Sequence, residues 1–486
     1  MQSNDVRDNT GVDTFSFLRK ESLDIFNRLH SIGEDVAFVG QVRTAYPSIP
    51  LLPNLRCGSW YADPKISANS PAYFKSTDGH FNNWSFNLRR SNLHLLPLIM
   101  EGNGLILVDS TRSGKRIPDA LSKTIPIWCA VINRALLILH PELTNDEAKS
   151  TWDVALYTPP SAVSRQEHSQ IEQRLDDWAK SLANSSFCLP ILPAPLRPVW
   201  ITPGTTTYPE LPTKKSSHNG FLPVVCLSAS KQIEQGVERR SSGFSYVQGS
   251  GDDHELWGIG LTPEMFWAHH DELLEAQRHQ LPELVSRVVS TQASLSKREA
   301  SFPTPVTKVD GRLLICTISE VPEPTAQEKS EEGNVAYLIL TPSANQEASS
   351  TILKSYIYLA PGKRGQTEFL QSILPKSMDF IRENLAQGRR VCVACESGKD
   401  YSVGVVLAAL QSFFMDEGKL ALLKPKSDDI QKDTSINQVD KNSIRTRLEW
   451  IIASRPQANP SRTTLKRVNE FLLTPSSFRV ASSHRS

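Results

Sequence analysis

A cysteine, a glycine and a serine at fixed spacing near the C-terminus mark the stretch best suited to bind an anion. Residues 395–402 read Cys-Glu-Ser-Gly-Lys-Asp-Tyr-Ser. The β-branched and apolar run at 390–394 predicts a buried strand, and the apolar run at 403–410 predicts a buried helix with Ser402 as its N-cap. A tight loop between them points backbone N–H groups inward, and the helix dipole adds positive potential. The stretch therefore predicts a phosphate cradle.

The spacing resembles the phosphate-binding loop of dual-specificity and tyrosine phosphatases, His-Cys-x-x-Gly-x-x-Arg-Ser followed by a helix. Cys395, Gly398 and Ser402 fall in register, but Ala394 replaces the histidine and Tyr401 replaces the arginine. That arginine binds phosphate through two parallel hydrogen bonds, which a tyrosine cannot make. The flanking residues 378–385 and 452–460 resemble a helix and an Arg-Pro loop of the same fold.

The general acid of those phosphatases is also missing. No aspartate occurs between residues 350 and 378, and Glu368 is the only carboxylate there. The cradle is therefore expected to be kept and the hydrolytic chemistry lost. Lys399 and Asp400 suit a metal-bound, multiply charged phosphate better than a monoester. An inert relic of a phosphatase fold is the alternative interpretation of the loop.

Other polar clusters lie in the N-terminal half of the chain. One packs Lys75, Ser76, Thr77, Asp78 and His80 around a glycine, and suits phosphate or ribose; a hydrogen-bonded surface loop is the alternative. A second follows a predicted buried strand, where the turn contains Asp109, Arg112 and Lys115. A third contains Asp252 and Asp253 beside His254 and Glu255. These side chains could bind Mg²⁺ or act as acid–base groups, and the alternative is that the aspartates cap a helix.

The composition is that of an ordinary globular protein. The chain has 486 residues, of which 39% are hydrophobic and 22% charged, and its net charge is +1. The length predicts two or three domains, and the charge argues neither for nor against nucleic acid. The sequence has no run of 18 apolar residues and a polar start, so no transmembrane helix, membrane partner or signal peptide is expected. Seven scattered cysteines predict a reducing, cytoplasmic location without disulfides or zinc.

The pattern of apolar runs predicts an α/β fold in two domains. An N-terminal α/β domain covers residues 1–300, and the resemblance to phosphatases implies that residues 301–486 form a phosphatase-like three-layer α/β/α domain. In the first domain, the spacing predicts helices over 14–32, 84–93 and 164–182, buried strands within 104–109 and 221–230, and an extended proline-rich connection over 189–212. In the second, it predicts strands over 313–318 and 335–340 and a charged, mobile insertion over 415–441.

Taken together, these motifs resemble one family, the fungal and plant initiator tRNA phosphoribosyl transferases. The resemblance spans most of the chain. In order along the chain, it rests on Arg56-Cys57-Gly58-x-Trp60-Tyr61, Phe74 to His80, Val108 to Arg112 with Gly114-Lys115, Gly251 to Glu255 with Gly260 to Pro263, and Cys395 to Asp400. It implies a pentosyltransferase. The reaction would move a 5-phosphoribosyl group from phosphoribosyl diphosphate to the ribose 2′-hydroxyl of adenosine 64 in initiator methionine tRNA, which keeps that tRNA out of elongation.

The resemblance implies roles for the residues singled out above. The catalytic candidates are Asp400, Lys399 and Cys395. The donor-binding candidates are Glu396, Ser397, Gly398, Tyr401 and Ser402 in the loop, with Lys75, Ser76, Thr77, Asp78, His80, Asp109, Arg112 and Lys115 from the N-terminal domain. Arg89, Arg90 and Arg116 are the tRNA-binding candidates, and Asp400, Asp252 and Asp253 the Mg²⁺ ligands.

Two other functional classes stay open on the sequence. One is a phosphatase, which the missing arginine and general acid disfavour. The other is a catalytically inert, phosphate-binding pseudophosphatase, which leaves the N-terminal motifs without a task. No obligate protein partner is inferred.

Overall fold

The computed structural model describes residues 10–474, apart from Arg56, Asn69, Pro71, 78–81, Ser113, 145–151, 213–219, 235–236, 296–302, 323–334, 344–352 and 422–438. The chain divides into two compact units. The N-terminal unit comprises Met1–Asn184 and Cys188–Ser296, and the C-terminal unit comprises Ser185–Phe187 and Lys297–Ser486.

A parallel sheet forms the centre of the N-terminal unit. Its four strands are β1 (Leu51–Pro53), β2 (Leu105–Asp109), β3 (Leu196–Ile201) and β4 (Leu222–Ser228), in the order β1-β2-β4-β3. All residues of β2 and β4 are buried, as expected for a parallel sheet covered on both faces. A separate antiparallel pair consists of β5 (Val237–Arg239) and β6 (Ser245–Val247).

The helices described in this unit are α1 (Thr10–Leu23), α2 (Ile25–Ala45), α3 (Leu95–Gly102), α4 (Ile125–Leu139), α5 (Arg165–Glu172), α6 (Leu175–Ala183), α7 (Pro263–Ala268), α8 (His270–Glu275) and α9 (Leu281–Leu295). On one face, the apolar side chains of α2 and α7 to α9 form a core with β1, β2 and β4. Helix α4 packs against β3 and α6. A π-helical turn, Ala120–Thr124, precedes α4.

Some predicted elements of this unit need correction. The helix predicted over 14–32 is two helices, because Asp24 accepts a hydrogen bond from the Asn27 backbone and begins α2. The helix predicted over 164–182 is likewise divided, into α5 and α6. The proline-rich connection contains the edge strand β3, where Pro198 is tolerated because only one side of the strand is paired.

The helix predicted over 84–93 is wrong. This segment has no regular secondary structure up to a single 3₁₀ turn, Leu88–Arg90, which the Asn87 side chain caps. The side-chain amide of Asn92 binds both the N–H and the carbonyl of Tyr73, and its backbone is left-handed at φ +49°. These side-chain bonds to backbone replace the hydrogen bonds of a helix.

The C-terminal unit has a second sheet, in the order β10-β9-β11-β8-β7. Its strands are β7 (Thr304–Pro305), β8 (Leu313–Thr317), β9 (Val335–Thr341), β10 (Lys354–Tyr358) and β11 (Arg390–Cys395), and only the β7–β8 pair is antiparallel. Its helices are α10 (Gly362–Glu368), α11 (Leu374–Ala386), α12 (Tyr401–Phe413), α13 (Lys441–Ser454) and α14 (Arg462–Leu473). They share one large apolar core with the sheet, and a smaller cluster covers its other face.

The predicted α/β class is confirmed in both units. All seven cysteines are free thiols, as predicted. Most of the insertion predicted over 415–441 lies outside the described residues. Within the described part of the chain, one helical segment, Ala120–Leu139, is long and apolar enough to cross a membrane, but 78% of its most apolar window is buried inside the fold, as in a core helix.

Candidate functional site

The predicted phosphate cradle lies between β11 and α12. Strand β11 ends at Cys395 and α12 begins at Tyr401, so residues 396–400 form the loop. Asp400 occupies the N-cap position without a side-chain capping bond, and the predicted cap at Ser402 is wrong. Because the helix starts before the apolar run, Ser402 is buried inside it, with its Oγ 3.1 Å from the Sγ of Cys395.

Two hydrogen bonds fix one side of this loop. The Nε of Arg455 donates to the carbonyl of Gly398 at 3.0 Å, and the N–H of Asn459 donates to the carbonyl of Lys399 at 2.9 Å. In a trans peptide the C=O and the following N–H point in opposite directions. The N–H groups of Lys399 and Asp400 therefore point away from these anchors. With the N-terminus of α12 beside them, these groups are suited to bind a phosphate.

Gly398 is required by this geometry. Its φ is +59°, in the left-handed region. A Cβ atom there would lie 2.8 Å from the Nη2 of Arg455 and 3.1 Å from the carbonyl group of Cys316. Both strain and crowding therefore exclude a side chain.

Arg455 organises the loop from inside the fold. Its side chain is 3% exposed, and besides Gly398 it binds the Oγ1 of Thr304 at 2.6 Å and the carbonyl of Ile315 at 3.3 Å. The Oε2 of Glu320 lies 3.8 Å away. Sequence analysis noted this arginine only as part of an Arg-Pro loop; its contacts with distant segments could not be seen there.

Asp400 connects the loop to α14. Its Oδ1 accepts a hydrogen bond of 2.8 Å from the backbone N–H of Ser461, the residue that caps α14. The Oδ2 atom takes no part in that bond. The carboxylate is thus held by one oxygen while the other can face a ligand, a metal or a hydroxyl proton.

Tyr401 points toward α10 and does not act as a substitute cation. The Nε2 of Gln366 donates to its phenol oxygen at 2.6 Å, and its ring packs edge-on against Phe369 at 5.0 Å. Burial, with the nearby Asp400 and Cys395, raises the pKa of Tyr401. The phenol is therefore neutral near pH 7.

The remaining loop side chains differ in exposure. The thiol of Cys395 is buried, 3.9 Å from the Oγ of Ser397, which also accepts a 3.3 Å bond from the N–H of Lys399. The side chains of Glu396, Ser397 and Lys399 are exposed. Lys399 is the loop cation available to a phosphate bound at the surface.

In the N-terminal unit, Asp109 ends β2 at the carboxyl edge of the sheet. Its Oδ2 accepts from the Nδ2 of Asn54 at 2.8 Å, and its Oδ1 accepts from the Cys57 thiol at 3.0 Å and the Ser110 N–H at 2.9 Å. Burial, and then Asp109, raise the pKa of Cys57 well above its ordinary value. Asp109 has no exposed surface, so its carboxylate organises this edge from within.

Arg112 contacts both predicted metal ligands of this unit. Its Nε lies 3.1 Å from an oxygen of Asp252, and its Nη2 lies 2.5 Å from an oxygen of Asp253. Asp253 makes no capping bond to the turn that follows it. Over the described ranges, no group of three or more His, Cys, Asp or Glu residues is placed to hold a metal ion.

A buried aspartate that sequence analysis missed, Asp119, joins two of the predicted donor-binding segments. Its Oδ2 accepts from the Oγ1 of Thr77 at 2.8 Å and from the Nζ of Lys115 at 3.0 Å. The neighbouring Ser76 is buried and Lys75 is exposed, and the Lys75 carbonyl accepts from Thr124. Asp78 and His80 lie outside the described residues.

Sequence analysis also missed Asp35 on α2, which is buried beside the residues that follow β2 and β4 at the carboxyl edge of the sheet. It accepts from Tyr246 at 2.7 Å and from Ser230 at 2.6 Å, and the hydroxyl of Ser230 lies 2.6 Å from that of Ser110. Burial raises the pKa of Asp35 well above its ordinary value. The sequence gives no sign of this burial, because a single acidic residue in an amphipathic helix is usually exposed.

The three predicted tRNA-binding arginines lie at the surface of the N-terminal unit. Arg89 and Arg90 belong to the 3₁₀ turn, where the guanidinium of Arg90 lies 4.3 Å from the ring centre of Tyr73. Arg116 is exposed, with its guanidinium 3.4 Å from the Oγ1 of Thr202. Their contact with RNA stays a prediction.

Comparison with known proteins identifies relatives of the whole chain. Residues 18–290 match the family model described as the Rit1 N-terminal domain, and residues 354–472 match the Rit1 DUSP-like domain. A Saccharomyces cerevisiae protein named tRNA A64-2′-O-ribosylphosphate transferase is 32% identical over 94% of this chain and 93% of its own length. An uncharacterized protein of Schizosaccharomyces pombe is 33% identical over 92% of this chain and 94% of its own length.

Part of the chain resembles solved phosphatase structures. A leucine-rich-repeat and phosphatase-domain protein from Entamoeba histolytica is 9% identical, with a TM-score of 0.23 over 38% of this chain and 96% of that one. PTPMT1 is 15% identical, with a TM-score of 0.23 over 38% of this chain and 100% of that one. At these TM-scores the likeness carries no conclusion. The family models and the near full-length relatives do: the chain belongs to the Rit1 family, with a Rit1 N-terminal domain followed by a DUSP-like domain.

Proposed function

We propose that this protein transfers a 5-phosphoribosyl group from phosphoribosyl diphosphate to the ribose 2′-hydroxyl of adenosine 64 in initiator methionine tRNA. The observation that carries this conclusion is the 32% identity, over 94% of the chain, to a protein named tRNA A64-2′-O-ribosylphosphate transferase. The modified tRNA would be kept out of elongation in the cytoplasm.

The reaction exchanges one bond to the anomeric carbon for another. The bond from C1 of the donor ribose to the diphosphate oxygen breaks, and diphosphate leaves with that electron pair. A bond from C1 to the 2′-oxygen of adenosine 64 forms, and the hydroxyl proton passes to a base. The protein must neutralise the leaving diphosphate and hold an acceptor near the hydroxyl.

The loop between β11 and α12 supports the first requirement. The N–H groups of Lys399 and Asp400 face away from the bonds that Arg455 and Asn459 make to the loop, and the Lys399 side chain is exposed beside them. The Lys399 N–H would exchange its 3.3 Å bond to the Ser397 Oγ for a phosphate oxygen. Backbone amides held in this way stabilise phosphate charge, and the Lys399 ammonium group would add to it. A phosphatase would need an arginine where Tyr401 stands, so the loop favours phosphate binding over phosphate hydrolysis.

Asp400 suits one of two roles: acceptor for the 2′-hydroxyl proton, or ligand of a metal ion. Mg²⁺ is usually held by one or two carboxylates together with substrate phosphates and water. The Ser461 N–H binds the Oδ1 of Asp400, so the Oδ2 can bind Mg²⁺ or accept the hydroxyl proton. Asp252 and Asp253 are both bound to Arg112 and would have to exchange that partner for a metal. Bound Mg²⁺ would supply charge neutralisation on the diphosphate.

The test is transfer of labelled ribose phosphate from phosphoribosyl diphosphate to unmodified initiator tRNA, with and without Mg²⁺. The informative variant is Asp400→Asn, because asparagine retains an oxygen for the Ser461 N–H but loses the charge. Asp379→Asn, an exposed change on α11, is the matched control.

Metal-dependent labelling that is lost only in Asp400→Asn supports the transferase and its site in the loop. Labelling that persists in the variant keeps the function and moves the chemistry to the N-terminal motifs. If well-folded wild-type protein gives no labelling, the function is overturned in favour of a phosphate-binding pseudophosphatase. That protein would still bind inorganic phosphate or diphosphate through the loop amides.

A further inference from the structure

One lysine of the N-terminal unit is held at both its backbone and its side chain. The Nζ of Lys115 donates to the Oδ2 of Asp119 at 3.0 Å. The Lys115 carbonyl accepts from the buried side-chain amide of Gln248 at 2.6 Å. An exposed lysine normally samples many rotamers, and fixing one costs entropy that must be recovered from its contacts. The bond to Asp119 holds the ammonium group, and the bond from Gln248 holds the backbone from which that side chain extends.

Asp119 is itself held from the inner side. Its side chain is only 7% exposed, and the same Oδ2 accepts from the hydroxyl of Thr77 at 2.8 Å. The Nζ of Lys123, in the π-helical turn, lies 3.7 Å from its Oδ1 and 2.9 Å from the Oε1 of Glu167. A buried carboxylate needs such countercharge and hydrogen bonds. π-Helical turns also occur frequently at functional sites.

We propose that Asp119 is a positioning residue that orients Lys115 toward a phosphate group of the donor. Asp119 is buried, whereas the Lys115 side chain is 47% exposed. An ammonium group has three N–H donors, so the donor that binds Asp119 leaves two for an anion on the solvent side. In this proposal Asp119 acts on the substrate through Lys115, and its bond to the Thr77 hydroxyl holds the carboxylate in place. This inference rests on the proposed transferase function.

The experiment is steady-state transfer by full-length protein, with phosphoribosyl diphosphate and tRNA varied separately. The variants are Asp119→Asn, Asp119→Glu, Lys115→Met and the Asp119→Asn/Lys115→Met double variant. Asp177→Asn, an exposed change on α6, is the matched control. Thermal unfolding of each variant separates folding defects from kinetic ones.

In Asp119→Asn, Lys115 is no longer held toward the phosphate, so one charged contact is lost. The KM for phosphoribosyl diphosphate should therefore rise roughly tenfold. The KM for tRNA and kcat should change much less, and Asp119→Glu should recover part of the loss. The double variant should be no worse than Lys115→Met alone, because Asp119 acts through that lysine.

Two outcomes would overturn the inference. One is an unchanged donor KM in a folded Asp119→Asn variant. The other is losses that add fully in the double variant, which would mean that Asp119 acts independently of Lys115. If the wild-type protein lacks transferase activity, the proposed function itself fails. In that case, the affinity of the wild type and of Asp119→Asn for diphosphate, measured by calorimetry, tests the role of Asp119 separately. Weaker binding by the variant supports that role, and equal affinities overturn it.

Discussion

The side-chain amide of Gln366 donates a hydrogen bond of 2.6 Å to the phenol oxygen of Tyr401. The residue in the position of the phosphatase arginine is thus turned toward α10 and neutral. Replacing it with arginine should therefore not create a phosphatase, since no general acid accompanies it. We expect Tyr401→Arg to show no hydrolysis of an aryl phosphate above background.

Tyr401→Phe is the matched control for that variant. It keeps the ring packed on Phe369 and removes only the bond to Gln366, so it should lower the free energy of unfolding by about 1 kcal/mol. Aryl phosphate turnover by Tyr401→Arg at a rate typical of phosphatases would show that the arginine alone was missing.

Arg455 should be essential for the shape of the phosphate cradle. Arg455→Met removes the hydrogen bonds to Gly398, Thr304 and Ile315 and leaves buried acceptors unpaired. We expect a loss of about 3 kcal/mol in the free energy of unfolding, measured by urea denaturation. Arg455→Lys should recover little, because an ammonium group cannot reproduce the planar guanidinium.

The control for Arg455 is Arg364→Met on α10. Arg364 is exposed and forms an ion pair with Glu368, four residues along the same helix, so its loss should change the free energy of unfolding far less than the loss of Arg455. Equal effects of the two methionine variants would contradict the organising role of Arg455.

Cys395→Ser should retain substantial transferase activity. In the proposed reaction the loop binds phosphate and no thiolate attacks the substrate, and a serine hydroxyl can still contact Ser402. The measurement is kcat for transfer, with the exposed Cys188→Ser as control. Complete loss of activity with intact folding would instead indicate covalent catalysis through the thiolate.

Strand β11 and the body of α12 follow from local pattern, because each is an apolar run beside a tight polar loop. The start of α12 at Tyr401 lies before the predicted Val403, and the left-handed backbone of Gly398 is seen only in the structure. The sequence could not indicate that Arg455 holds Gly398, because those contacts join segments far apart in the chain. It also missed Asp119 and Asp35, since a buried carboxylate looks like any surface acid until its partners are known. The helix predicted over 84–93 failed because Asn92 binds Tyr73, a tertiary contact that local spacing does not contain.

The buried Asp35 should make stability depend on pH in a direction opposite to that of most carboxylates. Burial raises its pKa in the folded protein, so the folded state retains a proton that the unfolded state loses above about pH 4. The contribution of Asp35 to stability is complete below that pH and falls as the pH rises toward the folded-state pKa.

A carboxamide resembles the protonated carboxyl but does not titrate. Asp35→Asn should therefore flatten the decline in unfolding free energy as the pH rises above about 4, measured by urea denaturation. Asp177→Asn should leave the decline unchanged, and an Asp35→Asn curve parallel to wild type would show that Asp35 is ionised in the fold.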